Sequence, residues 1–336
     1  MSYRPLGFVS YPTHVVPTKH AAFTINSPDQ HRSATVTAPG HIWVIEIVRV
    51  SFAGSADGYQ IRFQPCRDVL AYFNHLGSLS APLRAAFEAG QPACETNTFN
   101  GDIATKCRLG TRVELTSGAP IGVSDGFAGV DFGAVDFAAP ETRFANNKDY
   151  DNEYLHTIAP TQLFTPAALA ELTPHIASLD GSRRRTAQPL GGTHNQDVAG
   201  TAQGNWFPPG GSMRTVQDER QFLALVHDLV DPGQPEFSFG DTVPGISGGL
   251  ASFAPRQDGT INRDFAAVVA DGRVYCWENF QTGVTPSGIN AARVEGTIFI
   301  AMPDAVTLRI EHIRTPGAAC GDSSPMLSAA AVTFGR

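Results

Sequence analysis

With 336 residues, of which 42% are hydrophobic and 17% charged, the chain is long enough for about two globular domains with sizeable cores. The net charge of -8, without a basic stretch long enough to follow a phosphate backbone, argues against nucleic acid as a partner. The 33 glycines and 24 prolines favour short strands joined by many turns, and no apolar run approaches the roughly 20 residues of a membrane span.

The first block, residues 1–144, is predicted to be a β domain. Its first long run, Ala34–Phe52, is rich in threonine, valine and isoleucine and is divided by a turn. Its last run, Val130–Phe137, alternates so that Asp131 and Gly133 share one face while Val130, Phe132 and Ala134 share the other.

The central stretch of this block, Gly58–Ser80, reads GYQIRFQPCRDVLAYFNHLGSLS and predicts two strands separated by a proline and a cysteine. The second strand is expected to deliver His75 to a turn at Asn74–Gly77. A histidine in that position is either a functional residue or an ordinary surface side chain. The serine that ends the stretch is a suitable cap for a helix with proline in its first turn.

Residues 145–203 are predicted to be a helical and loop connector, with one capped helix beginning after Thr165. Residues 204–336 return to apolar or alternating runs and predict a second β domain, a sandwich or a partial barrel. The runs that support it are Arg220–Val230, Phe265–Phe280, Gly296–Pro303 and Ala305–Ile313, and Asp271-Gly272 is a hairpin signal inside the second of them.

Two stretches of the later chain are candidate substrate-binding sites. Gln203, Asn205 and Trp206, in GTAQGNWF, offer the amides and the indole with which proteins bind sugars and peptides. A tightly packed turn is the competing interpretation. His227 lies in an apolar run and either faces a ligand cleft or is a hydrogen-bonded core histidine.

The five cysteines contain no C-x-x-C pair, which argues against a structural zinc knuckle. Cys94 and Cys107 flank a polar segment and either close it as a disulfide or remain free thiols. The segment Met1–Pro5 has no apolar signal core, a pattern that leaves the compartment open.

The succession of APGHIWVIEI, GYQIRFQPCRDVLAYFNHLGSLS, GAPIG and GVDFGAVD resembles the duplicated hybrid motif domain of lysostaphin-type zinc endopeptidases, which cut peptidoglycan cross-links. In that family a Tyr-x-His-Leu turn carries a catalytic histidine, and a His-x-His strand closes the site. The likeness covers about a third of the chain and implies a β-barrel or sandwich for residues 1–144. A family of uncharacterised bacterial proteins is similar over most of the chain, through GTAQGNWF and LALVHD.

The resemblance implies a zinc site made of His20, His75 and Asp131. His20 falls on the first ligand of the family's His-x-x-x-Asp motif, although Thr24 stands where the motif has its aspartate. His75 matches the catalytic histidine turn, and Asp131 takes the place of the metal-binding second histidine of the His-x-His strand. Two histidines and a carboxylate suit Zn²⁺ with an open position for water.

The implied function is zinc-dependent hydrolysis of an ester, phosphoester or peptide bond by metal-activated water, with His75 as ligand or general base. The alternative is a non-catalytic cell-wall or carbohydrate-binding protein whose metallopeptidase site has decayed. Both interpretations expect a small molecule, a peptide or a glycan as partner. The resemblance favours a secreted or periplasmic protein. It specifies neither the oligomeric state nor the bond that is cleaved.

Overall fold

Antiparallel sheets dominate the computed structural model, which describes residues 1–25, 32–52, 54–99, 102–125, 129–216, 218–315, 319–321 and 326–336. The predicted fold class, mostly β, is confirmed. Among the described strands the sheets are open, and none of them closes into a barrel.

The first sheet has 11 strands, with the order β1-β2-β10-β6-β5-β4-β8-β7; β3, β9 and β11 lie off this path. Strands β1 to β11 are Ser2–Arg4, Ala21–Thr24, Thr35–Thr37, Ile42–Phe52, Gly58–Cys66, Val69–Leu79, Ala93–Phe99, Asp102–Leu115, Pro120–Ser124, Val130–Asp136 and Thr157–Ile158.

Two four-stranded sheets follow, with their strands in chain order. Strands β12 to β15 are Gly204–Trp206, Leu223–His227, Pro235–Phe239 and Gly249–Ser252, and strands β16 to β19 are Tyr275–Trp277, Thr297–Asp304, Thr307–Ile313 and Val332–Gly335. The helices α1 to α3 are Ala81–Ala89, Asn152–Leu155 and Pro166–Leu172, and 3-10 turns lie at Asn147–Asp149, Pro160–Leu163, Thr173–His175, Glu219–Gln221 and Phe265–Ala267.

The chain divides into two compact units that exchange short segments. Unit 1 contains residues 1–6, 19–140 and 156–182, and unit 2 contains residues 7–18, 141–155 and 183–336. The residues predicted to form a connector, 145–203, fall partly in each unit.

Unit 1 has its core on one face of the large sheet. Ile47, Ile61, Phe73 and Phe132 point to this face from neighbouring strands, and α1 adds Phe87 to the same core. Burying a large apolar side chain of this kind stabilises a fold by about 1.5–3 kcal/mol. Because side chains alternate along a strand, the residues next to Phe73 and Phe132 are turned to the opposite face, as predicted for Val130–Phe137.

Unit 2 is built on a sheet that is buried on both faces. Leu225 and Phe237, from β13 and β14, share a core with Trp277 and Ile300 from the next sheet, so the two sheets pack face to face. The other face of β12–β15 contributes Ala224, Val226 and Leu250 to a second core, together with Tyr150 and Phe207. A sandwich was one of the two arrangements predicted for this block.

Two disulfides are present. Cys94–Cys107 joins residues directly opposite each other on β7 and β8, the first of the two alternatives considered for this pair. Cys276–Cys320 spans 44 residues and has no local sequence signal. Disulfides persist in oxidising compartments and are rare in the cytosol. In the described part of the chain, no helix is long and apolar enough to cross a membrane.

Candidate functional site

Four neighbouring strands of unit 1 present a row of side chains on the face away from the core. Arg4 on β1 is opposite Ala22 on β2, Ala22 is opposite Asp131 on β10, and Asp131 is opposite Asn74 on β6. Directly opposed residues of antiparallel strands point to the same face. The register therefore places these side chains in one row, with the small Ala22 side chain between Arg4 and Asp131.

His75 joins this row through a β-bulge. A regular strand would turn it away from Asn74, but Gln60 on β5 faces both Asn74 and His75, and His75 has φ of 63°. A positive φ is uncommon outside glycine, and bulges reorient side chains in this way. The turn predicted at Asn74–Gly77 is therefore wrong: these residues lie inside β6, and the local change of direction comes from the bulge.

The ring of His75 is held between two carboxylates. Its Nε2 lies 3.2 Å from Oδ2 of Asp131, and its Nδ1 lies 3.5 Å from Oδ2 of Asp125. The contacts with Asp125 and Asp131 raise the pKa of His75 to about 10, against the opposing effect of burial. His75 is therefore an imidazolium at neutral pH, and 45% of its side chain is exposed.

His20 occupies the buried side of the same group. Its Nδ1 lies 3.4 Å from Oδ1 of Asp131 and 3.3 Å from the carbonyl oxygen of Ala21. Burial lowers the pKa of His20, more than the neighbouring carboxylate raises it, so the imidazole is neutral at pH 7. Asp131 thus lies between a charged and a neutral histidine, and we call His20, His75, Asp125 and Asp131 the histidine–aspartate cluster.

A glycine and a tyrosine position the segment that carries His20. Gly133 is opposite Tyr72 on β6, and a Cβ at Gly133 would lie 2.0 Å from the Tyr72 ring. With no side chain in the way, the ring lies across Gly133 and donates its hydroxyl to the carbonyl of Lys19 at 3.2 Å. This bond fixes the backbone immediately before His20.

Arg4 adds a second positive charge that interacts with Asp131. Burial lowers the pKa of its guanidinium to about 10, and the charge of Asp131 opposes that shift. Arg4 remains protonated at pH 7, so Asp131 interacts with two cations, Arg4 and His75. Opposite charges interact more strongly when they are shielded from water.

The predicted zinc ligands meet in one place, where His75 is paired with carboxylates. The structure brings His20, His75 and Asp131 together, but each ring nitrogen of His75 faces a carboxylate, and an imidazolium has no lone pair to donate to a metal. Within the described residues, no group of three or more His, Cys, Asp and Glu side chains is placed to hold a metal ion. Zinc binding thus stays a prediction from the resemblance.

The candidate residues of the GTAQGNWF stretch lie inside unit 2. Trp206 is fully buried and donates its indole N–H to the carbonyl of Ala202 at 2.8 Å. The Asn205 amide donates to the hydroxyl of Tyr150 at 3.0 Å, and Gln203 donates to the carbonyl of Gln196 at 2.8 Å. These side chains already bond to their own unit.

His227, the remaining candidate for substrate binding, is held in place by hydrogen bonds. Its Nε2 lies 2.9 Å from Oδ2 of Asp264, a contact that lowers the pKa of Asp264. Gln196 accepts the backbone N–H of His227 and donates to its carbonyl, and so holds the strand end at two points. The structure therefore shows a fixed histidine–aspartate pair, with 17% of the histidine side chain exposed.

Sequence reasoning missed Asp125, Arg4 and Asp264. Asp125 follows β9, and the pairing of Leu76 with Ser124 brings it to His75. No local motif marks that long-range pairing. Arg4 lies on a three-residue strand too short to be recognised by alternation, and only the cross-strand register reveals its position.

The chain matches no family model, no curated protein and no solved structure. Its function therefore has to be inferred from the geometry of the site.

Proposed function

We propose that unit 1 is a non-catalytic binding domain for a cell-wall glycan or peptide, and that the exposed side of the histidine–aspartate cluster contacts the ligand. The observation that supports this function is the state of His75. A general base or a zinc ligand needs an unprotonated ring nitrogen, whereas both nitrogens of His75 are engaged by Asp125 and Asp131.

The charge of the cluster indicates the class of ligand. The imidazolium of His75 is flanked by two carboxylates, so neither sign dominates at the exposed surface. Hydroxyl and amide groups, which form directional hydrogen bonds without carrying charge, fit such a surface better than phosphate does. The side chain of Asp125 is 28% exposed, and its oxygens can accept hydrogen bonds from a ligand. The two disulfides support a location in an oxidising compartment, where cell-wall material is found.

A sedimentation assay with insoluble peptidoglycan, followed by calorimetry with soluble disaccharide-peptide fragments, tests this proposal. We expect the wild-type protein to bind and the H75A and D125A variants to bind at least about 10-fold more weakly, equivalent to about 1.4 kcal/mol. His41→Ala is the matched control, because His41 is an exposed histidine of unit 1 that pairs with Glu114 at 2.6 Å. Equal binding by wild type and H75A would refute the proposed site.

Zinc-dependent hydrolysis is the competing function, and the meeting of His20, His75 and Asp131 at one place favours it. Metal analysis of protein purified without a histidine tag, repeated on H20A and D131A, separates the two functions. Stoichiometric zinc, together with metal-dependent turnover of ester, phosphoester or peptide substrates that H75A abolishes, would establish the hydrolase and overturn the binding proposal.

A further inference from the structure

Unit 2 contains two carboxylates in its interior, separate from the cluster of unit 1. Glu236 lies on β14 and Asp228 immediately follows β13, and each is only 1% exposed. Both belong to the face of the β12–β15 sheet that contributes Val226 to an apolar core. Buried carboxylates are rare unless a partner compensates their charge.

The strand register brings the two carboxylates close together. Glu236 is opposite Val226 on one side and opposite Ser252 on the other. Asp228 lies two residues beyond Val226 and therefore points to the same face, diagonally across from Glu236. Ser238, two residues along β14, also points to this face. We call Asp228, Glu236, Ser238 and Ser252 the acidic face.

The two carboxylates differ in how far neighbouring groups compensate their negative charge. Asp228 accepts the backbone N–H groups of Val230, Asp231 and Ser287 at 2.7–2.9 Å, and it interacts with the charge of Arg185. Glu236 has one long contact with the hydroxyl of Ser252, at 3.5 Å. Burial, reinforced by the charge of Asp228, raises the pKa of Glu236 well above its usual value. Either a proton or a cation must therefore neutralise Glu236.

A buried hydroxyl on the acidic face favours the cation. The Oγ of Ser238 has no hydrogen-bond partner, although Ser238 is fully buried. Ser287 interacts with Asp228 through both its backbone N–H and its side chain, and it therefore belongs to the compensation of that carboxylate. A proton on Glu236 would leave the Ser238 hydroxyl without a partner, whereas a bound ion would use its oxygen as a ligand.

We propose that the acidic face binds a hard cation, such as Ca²⁺ or Na⁺, in the interior of unit 2. Glu236 and the hydroxyls of Ser238 and Ser252 supply oxygen ligands, and Asp228 supplies further negative charge. A donor set made only of oxygen suits hard cations and discriminates against zinc and copper. The cation replaces the missing partner of Glu236 and stabilises the folded unit, because the unfolded chain has no such site.

The test compares thermal unfolding of the full chain in chelator-treated buffer after addition of CaCl₂ or NaCl, with choline chloride holding the ionic strength constant. We expect one of the two salts to raise the Tm by about 5 °C at saturation relative to choline. The E236Q variant should lose this response, and D258N, which removes an exposed carboxylate of the same unit, should keep it. The two salts distinguish a divalent from a monovalent site.

A second variant keeps the proposal testable if E236Q does not fold. S238A removes a hydroxyl without adding bulk, and we expect it to weaken the cation affinity measured by equilibrium dialysis about 10-fold. An equal Tm in all three salts would overturn the proposal and leave a proton as the partner of Glu236. A salt response that persists unchanged in E236Q or S238A would place the ion elsewhere and also overturn it.

Discussion

Replacement of Asp131 by alanine is expected to destabilise unit 1 by about 3–5 kcal/mol, the cost of removing one partner from a buried charge pair. Asp131 is 8% exposed and lies against His20 and His75, and its charge opposes the burial effect on Arg4. Without this carboxylate, the buried Arg4 loses its counter-charge and His75 loses one of its two carboxylate partners.

Hydrogen exchange of the β6 and β10 backbone measures this loss directly, because these strands flank the cluster. D131N keeps the shape of the side chain without its charge and should fall between D131A and wild type. Asp68→Ala is the control, since Asp68 pairs with Arg67 at 3.0 Å on the surface and such pairs contribute about 0–1 kcal/mol. If D131A and D68A lose the same protection, Asp131 is not the centre of a buried charge network.

The stability of unit 2 is expected to fall as the pH rises from about 4.5 to about 8, because of Glu219. Burial raises the pKa of this carboxyl from 4.5 to about 8, although the backbone N–H of Val16 lies 3.4 Å from Oε2. Below about pH 4.5 the folded and unfolded states are both protonated, so Glu219 imposes no penalty. Between the two pKa values only the unfolded state releases the proton, and stability declines; above about pH 8 the full penalty remains.

The E219Q variant should abolish this decline, because glutamine still accepts the Val16 N–H but does not ionise. We expect it to be more stable than wild type at pH 9 by on the order of 2–3 kcal/mol, and nearly equal to it at pH 4.5. Calorimetric unfolding at the two pH values gives both differences. Glu141→Gln, the same change at an exposed glutamate of unit 2, is the control. A gain that does not depend on pH would exclude ionisation of Glu219 as its cause.

Local rules predicted the elements whose side chains alternate or whose ends are capped. The face pattern of Val130–Phe137 and the helix after Thr165 are confirmed, and Thr165 caps that helix by accepting the N–H of Ala168. The hairpin predicted within Phe265–Phe280 is wrong. Its first three residues form a 3-10 turn capped by Asp264, so tertiary and capping contacts outweigh strand propensity there.

The candidate site was only partly predictable from the sequence. Its residues are distant in sequence and are brought together by the register of paired strands. The family resemblance identified His20, His75 and Asp131, and the structure places the three together. It did not reveal the bulge at His75, since a positive φ at a histidine has no sequence signature. It also did not reveal Asp125, which reaches the ring through the pairing of β6 with β9. That contact turns the predicted general base into an imidazolium.

The protonation state of His75 tests the central claim most directly. In ¹⁵N-labelled protein at pH 7.5, the ring nitrogens of His75 report protonation by their chemical shifts, with H75A giving the assignment. Because its pKa is about 10, we predict that both nitrogens carry protons and that one equivalent of Zn²⁺ leaves their shifts unchanged. An unprotonated ring nitrogen whose shift moves when Zn²⁺ is added would contradict this account and favour a metal-dependent hydrolase.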